Sequence, residues 1–186
     1  MSDDEQLIMW SSQHKRVWDT IQKEGIYTVK QAYVQEKYED VAWIFKEAYS
    51  YLNRKLTEKI SQPEGAESPV WHFKEQKWAL KDEDSVLLRL AIPVAEVVLF
   101  DLRVWNKVLN LTFAGSAEEE ERFHRELANR GITDILEVHT TPYYPLQKKA
   151  VVDSWEKMFA IGGIEGQYIQ GASWVIREEW IQEVIL

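Results

Sequence analysis

The feature that most constrains the fold is a change of hydrophobic period after residue 60. Between residues 39 and 60, apolar side chains recur every three or four positions, which predicts one long amphipathic helix packed on a core. A loop containing Pro63 and Gly65 follows. The next segments, 70–73, 86–92 and 94–100, are rich in β-branched and aromatic residues, which predict strands of one sheet. The chain therefore needs both a helical layer and a sheet.

Several helix boundaries carry capping signals. Ser11 and Ser12 are predicted to cap a first helix after a short opening strand, and Gly25 suits the position after its last turn. Asp101 is predicted to cap a short helix that begins where a strand ends. Ser116 is predicted to form a capping box at the start of a charged helix. These signals place at least three helix starts.

The last third of the chain is predicted to contain a helix and then two strands. The helix covers 147–160, and the strands cover 168–176 and 180–186. Helices and strands thus interleave without a regular repeat, which favours an α+β fold. We expect a single domain over residues 1–186, with a mixed or antiparallel sheet and flanking helices.

Composition excludes several classes of protein. The 31 acidic residues outnumber the 22 basic ones and give a net charge of −9. This argues against nucleic acid as a partner, and disfavours a toxin or stress enzyme acting on it, because phosphate contacts need clustered Lys and Arg. Without a long apolar run or a basic leader, the chain is predicted to be cytoplasmic and not bound to a membrane. The absence of cysteine removes disulfides and thiolate chemistry.

The acidic residues suggest one of two hypotheses about function. Residues 1–6 are predicted to be flexible, and 116–145 to form a charged helix and loop region that contains four consecutive glutamates, Glu118 to Glu121. Such a run is typical of a solvated helix face. It also fits a non-enzymatic interaction protein that binds a basic partner, such as a defence antagonist or a nucleic-acid mimic.

Aromatic residues on the predicted strands suggest the other hypothesis, a ligand cleft. Aromatic walls with a few polar groups hold flat rings such as nicotinamide or adenine, and Trp10, Trp71 and Trp174 are candidates for such walls. Core packing is the competing interpretation. His72 is a candidate acid or base of the same pocket. Asp101, where a strand leads into a helix, is a candidate for the cleft edge. The four histidines show no metal-ligand spacing, so no metal site is predicted.

Short tryptophan-containing motifs occur in a characteristic order along the chain. They are Trp10 before a helix, Gly25-Ile26-Tyr27, Ser68-Pro69-Val70-Trp71, Asp101 with Trp105 and Val108-Leu109-Asn110, Ser154-Trp155 with Phe159, and Gln170 with Trp174. In order and spacing they resemble a bacterial family of domains of unknown function, the one numbered 3841. The resemblance extends from Leu7 to Leu186 and is weakest between Phe113 and Tyr144. It implies no activity.

A fainter resemblance is to the ADP-ribosyltransferase fold. The opening at 7–27 looks like its first strand, helix and glycine turn, and the segment 170–176 looks like its late strand. The resemblance implies a cleft for a nucleotide or for NAD, with ADP-ribosyl transfer as the associated reaction. The residues implied to contact the ligand are Trp10, Ser11, Trp71, His72, Gln170 and Trp174.

The sequence departs from active members of that superfamily at the catalytic position. Ala172 stands where they carry a glutamate two residues after the glutamine, and Met9-Trp10-Ser11 lacks the arginine or histidine usual on the first strand. Either Glu178 or another carboxylate then serves as the catalytic group, or the transfer reaction is absent. The sequence therefore leaves open whether the protein is an enzyme.

Overall fold

The computed structural model describes residues 5–30 and 42–186. The strands are β1 (Gln6–His14), β2 (Ile26–Thr28), β3 (Val70–Phe73), β4 (Ser85–Pro93), β5 (Val98–Asp101), β6 (Ile169–Ser173), β7 (Val175–Arg177) and β8 (Ile181–Ile185). The α-helices are α1 (Lys15–Glu24), α2 (Ala42–Lys59), α3 (Leu102–Leu109), α4 (Ala117–Asn129), α5 (Glu137–Thr140) and α6 (Pro145–Ser154). Short 3-10 turns occur at Gln76–Trp78, Val94–Glu96, Trp155–Phe159, Gly166–Tyr168 and Glu178–Trp180.

Six strands form the main sheet in the order β5-β6-β3-β1-β4-β8. Every neighbouring pair is antiparallel. The longest pairing joins β1 to β4 from Gln6 opposite Pro93 to His14 opposite Ser85. Strands β2 and β7 form a separate antiparallel pair. The predicted α+β class is confirmed, and of the two predicted sheet types the antiparallel one is observed.

The first helix starts later than predicted. Ser11 and Ser12 belong to β1 and do not cap a helix, because hydrogen bonding to β4 continues as far as His14. The cap is His14, whose Nδ1 accepts a hydrogen bond of 3.1 Å from the Arg16 amide. Gly25 ends α1 as predicted, in the left-handed conformation at φ +73°, and its N–H donates to the Ile21 carbonyl.

One predicted strand is divided, and another is shorter than predicted. The segment 168–176 forms β6 and β7, which lie in different sheets and meet at the buried Trp174. The indole Nε1 of Trp174 donates to the Ile60 carbonyl at 3.3 Å. A tryptophan fixed in the core at this point allows the chain to leave one sheet and enter the other. The strand predicted to begin at Val94 starts only at Val98, after a 3-10 turn.

The long predicted helix is present as α2, and the part of the prediction at 39–41 lies outside the described residues. Of the segment predicted to be flexible, residues 1–4 also lie outside them. Gln6 already pairs with Pro93, and the Glu5 carbonyl accepts a hydrogen bond from the Val94 amide. The helix predicted at 147–160 begins at Pro145 and tightens into a 3-10 turn at Trp155.

Both faces of the main sheet are buried near its centre. On one face, Met9 and Leu90 are cross-strand partners and are completely buried. On the other face, Trp71 contacts Trp105 of α3 at 5.4 Å between ring centroids and Tyr49 of α2 at 5.6 Å. This aromatic cluster packs α2 and α3 on the sheet. The centre of the sheet is therefore core, and open sites lie elsewhere.

Candidate functional site

The residues predicted to contact a ligand lie on both faces of the main sheet. The registers of β1 with β3 and of β3 with β6 place Trp10, Trp71 and Gln170 on one face. Ser11 and His72 lie on the opposite face, because successive strand residues alternate in direction. One ligand cannot contact both faces of a buried sheet. The sequence prediction that these five residues line one cleft is therefore corrected, and a role for any single one stays a prediction.

On the face of Trp10, aromatic packing accounts for Trp71. Besides the rings of α2 and α3, its indole contacts Phe100 edge-on at 5.9 Å. Gln170 is nearly buried, and its Oε1 has no hydrogen-bond partner among the described residues. The side chain of Trp10 is only half-buried. Packing on the core thus explains the position of Trp71 without a ligand.

On the opposite face, His72 is completely buried and connects two strands. Its Nε2 lies 2.7 Å from the Ser173 hydroxyl, which itself donates to the Val175 carbonyl at 2.7 Å. Because the hydroxyl proton is used on that carbonyl, the imidazole must be the donor and carries its hydrogen on Nε2. Burial lowers the pKa of His72 to about 3. Ser11 is also buried and donates to the Trp71 carbonyl at 2.7 Å.

The remaining predicted residues have structural surroundings of their own. The Asp101 carboxylate accepts the Arg103 amide at 2.9 Å and the Arg103 guanidinium at 2.7 Å, so the predicted capping role is confirmed. Trp174, between β6 and β7 along the chain, is buried. Glu178 is exposed in the turn between β7 and β8, and its N–H donates to the Gly25 carbonyl at 2.9 Å.

The glutamate run of α4 is largely neutralised within the chain. The predicted capping box is present, with the Glu119 amide donating to the Ser116 hydroxyl. The Glu119 carboxylate also pairs with Lys157 at 2.6 Å, Glu120 pairs with Lys107, and Glu121 pairs with Arg125 at 2.7 Å. A basic partner would have to compete with these cations. The structure therefore offers little support for a free acidic surface here.

A cavity lies between α2 and the end of α6, where the sequence predicted no site. It has a volume of about 410 Å³. We name it the α2–α6 pocket; its lining residues are Lys46, Glu47, Ser50, Tyr51, Arg54, Val152 and Trp155. The five residues from α2 lie on one helix face, because they are spaced one, four, five and eight positions from the first. Helical spacing shows that face but not what it meets.

Aromatic rings and cations share this pocket. Tyr51 and Trp155 contact each other edge-on at 5.1 Å, and the Arg54 guanidinium lies 5.5 Å above the Tyr51 ring. Lys46 and Arg54 are exposed, and neither forms an ion pair with a carboxylate of the described residues. Lys55, the neighbour of Arg54, pairs instead with both Glu58 and Glu156. The pocket thus holds two cations with their charge available.

A buried histidine adjoins the pocket through Glu47. The Glu47 carboxylate pairs with Lys148 at 2.7 Å, and its Oε1 lies 3.6 Å from His139 Nδ1. The His139 ring is stacked on Trp155, with 6.1 Å between centroids and 3° between planes. Its Nε2 lies 3.0 Å from the Leu111 carbonyl. Burial lowers the pKa of His139, against the opposing effect of Glu47. Burial and nearby Glu156 raise the pKa of Tyr51.

Within residues 5–30 and 42–186, no three His, Asp or Glu side chains are grouped so that they could hold a metal ion. In the same part of the chain, no helix is long and apolar enough to cross a membrane.

Comparison with known proteins identifies a family. No curated protein and no solved structure matches the chain, so the resemblance to the ADP-ribosyltransferase fold is without support. The family model described as Domain of unknown function (DUF3841) matches residues 8–182. Because this match covers nearly the whole chain, the protein belongs to the DUF3841 family.

Proposed function

We propose that the protein binds a nucleotide-type anion of about mononucleotide size in the α2–α6 pocket. The observation that carries this proposal is the pair of cations, Lys46 and Arg54, that lack a carboxylate partner among the described residues and stand beside the aromatic rings of Tyr51 and Trp155. The two cations are what a phosphate requires, and the rings, with Tyr51 4% and Trp155 0% exposed, form the buried apolar wall behind them.

The charge distribution of the chain makes these cations informative. With a net charge of −9, the molecule as a whole repels anions. Basic side chains that are not already neutralised are therefore favourable places for an anion to bind. Lys55 and Lys148 near the pocket are paired with carboxylates, whereas Lys46 and Arg54 have none within the described residues. Their charge is therefore available to a ligand.

The size and polarity of the pocket limit the class of ligand. A volume of about 410 Å³ is in the lower part of the range for small-molecule sites, about 300–1,000 Å³. This favours a mononucleotide over a whole dinucleotide such as NAD. The Glu47 carboxylate accepts hydrogen bonds, as the amino group of a base or a ribose hydroxyl requires. We propose binding without assigning a reaction, since Glu178 does not line the pocket.

A thermal-shift and calorimetry panel tests the proposal. Adenosine monophosphate is compared with uncharged adenosine and nicotinamide, and with NAD and ADP-ribose. Ligand present at 100 times its Kd is expected to stabilise the folded state by about 2.7 kcal/mol. We expect a shift with adenosine monophosphate and a much smaller one with adenosine.

Matched variants locate the site. Lys46→Ala/Arg54→Ala removes the two pocket cations and is expected to abolish the shift. Arg16→Ala/Lys81→Ala removes one exposed arginine and one exposed lysine elsewhere, and is expected to bind as the wild type does. The proposal is overturned if both double variants show the same thermal shift, or if no ligand of the panel shifts the wild type. In the second case a basic protein becomes the favoured partner.

A further inference from the structure

We propose that the α2–α6 pocket takes up its anion together with a proton, which is held between His139 and Glu47. This inference rests on the function proposed above. It concerns how binding at the same site is controlled, and it makes the affinity for the anion dependent on pH.

The neighbours of the His139 ring fix the position of its hydrogen. Its Nε2 lies 3.0 Å from the Leu111 carbonyl, which can only accept a hydrogen bond. Nε2 therefore carries a hydrogen, and the neutral ring presents a bare Nδ1. That Nδ1 is buried and has no hydrogen-bond partner among the described residues.

The His139 Nδ1 faces the Glu47 carboxylate. The Glu47 Oε1 lies 3.6 Å away, and an ionised carboxylate is also only an acceptor. The buried Nδ1 thus faces a carboxylate that is 28% exposed and paired with Lys148 through the same oxygen, and no hydrogen lies between Nδ1 and Oε1. A single proton, on either the imidazole or the carboxylate, turns this contact into a hydrogen bond.

Without a ligand, the proton between His139 and Glu47 is absent because the surroundings of His139 lower its pKa. The charged and polar groups around His139 come from four elements: Glu47 on α2, Lys148 on α6, the Leu111 carbonyl after α3, and the Trp155 ring. Burial lowers the pKa of His139, Glu47 and the carbonyl raise it, and Lys148 lowers it. The net effect is a lowered pKa, so the ring is neutral near pH 7.

A bound anion changes the charge around the Glu47–His139 pair. Glu47 lines the pocket, so a bound anion adds negative charge close to the Glu47–His139 pair. Negative charge favours the protonated form of both groups. Because linkage is reciprocal, protonation favours the anion to the same extent. We therefore expect the affinity for the anion to rise as pH falls, by at most about tenfold per pH unit for one coupled proton.

Calorimetry in two buffers of different ionisation enthalpy measures this proton directly. Adenosine monophosphate is titrated near pH 6.5 into the wild type, Glu47→Gln and His139→Gln. The phosphate of the free ligand also titrates near this pH, and its ionisation before binding is the same in every titration. We expect the wild type to take up as much as one proton more than either variant. His124→Gln, which alters an exposed histidine of α4, is expected to match the wild type.

The possible results separate this inference from the proposed function. If the wild type binds but takes up no more protons than the two variants, the inference is overturned and the proposed function stands. If the wild type does not bind, both are overturned. Should His139→Gln fail to fold, nitrogen NMR of the wild-type imidazole decides the question. A proton shared at Nδ1 on saturation supports the inference, and an unchanged neutral ring without uptake overturns it.

Discussion

The two buried histidines of this protein, His72 and His139, are alike in their burial but differ in the group that each ring faces. Neither His72 nor the His139 side chain is exposed to solvent, and burial lowers the pKa of both. The His72 ring contacts a serine hydroxyl within the sheet, whereas His139 faces a carboxylate that lines a pocket. Burial by itself therefore does not mark a functional histidine. What distinguishes His139 is its charged neighbour, Glu47, which lines the α2–α6 pocket.

Their places in the fold explain the difference. His72 lies on β3, which has β6 and β1 as neighbours, and both faces of this part of the sheet are covered. His139 belongs to the four-residue helix α5, close to the point where α2 and α6 leave space between them. The sheet interior closes around its polar groups, whereas the space between α2 and the end of α6 is open.

The largest expected effect is the loss of stability in acid caused by His72. Its pKa is about 3 when folded and about 6.5 when unfolded, so below pH 6.5 the unfolded chain binds the proton more tightly. This contribution to the free energy of unfolding is fully present above pH 6.5. It decreases by about 1.4 kcal/mol per pH unit as the pH falls toward 3.

Urea unfolding at a series of pH values measures this effect. Between pH 6.5 and pH 4 the wild type is expected to lose about 3 kcal/mol more than His72→Gln, which does not titrate. The difference between the two proteins cancels the contribution of all other groups. Equal pH dependence in both would show that His72 is not held neutral by the fold.

The next effect tests how closed the sheet face is. Gly171 lies directly opposite His72, and a Cβ added there would meet Val97 Cγ2 at 2.9 Å and Met9 Cε at 3.0 Å. Gly171→Ala is therefore expected to cost about 1–3 kcal/mol of stability through overpacking. Gly162→Ala, where nothing lies within 4 Å, is the control and is expected to change little. Equal thermal stability of the two variants would contradict the closed face.

The smallest effect concerns His139 in the absence of ligand. Its pKa is also lowered, so stability again decreases below the unfolded pKa of about 6.5. Glu47 opposes the effect of burial, and for this reason His139→Gln is expected to remove less of the acid sensitivity than His72→Gln removes. The same series of unfolding experiments gives the comparison. A larger contribution from His139 than from His72 would reverse our interpretation of the two sites.

Local signals in the sequence predicted much of the secondary structure. Ser116 and Asp101 cap helices as predicted, because a capping side chain bonds to amides two or three residues away. Predictions that depended on distant partners did less well. Ser11 and Ser12 have the chemistry of caps, but pairing with β4 keeps them in a strand. The segment 168–176 has the composition of one strand but is interrupted at Trp174, because β6 before it pairs with β3 and β7 after it pairs with β2.

Sequence reasoning predicted the α+β class, the caps at Ser116 and Asp101 and the family, because each depends on residues near in sequence or on the order of motifs. The candidate sites depended on the packing of distant elements. This packing buried both faces of the sheet around His72 and Trp71, and it brought Lys46 and Arg54 of α2 beside Trp155 after α6. Periodicity shows which residues share a face of one element. Which faces meet depends on packing between elements distant in sequence, and no local pattern contains that information.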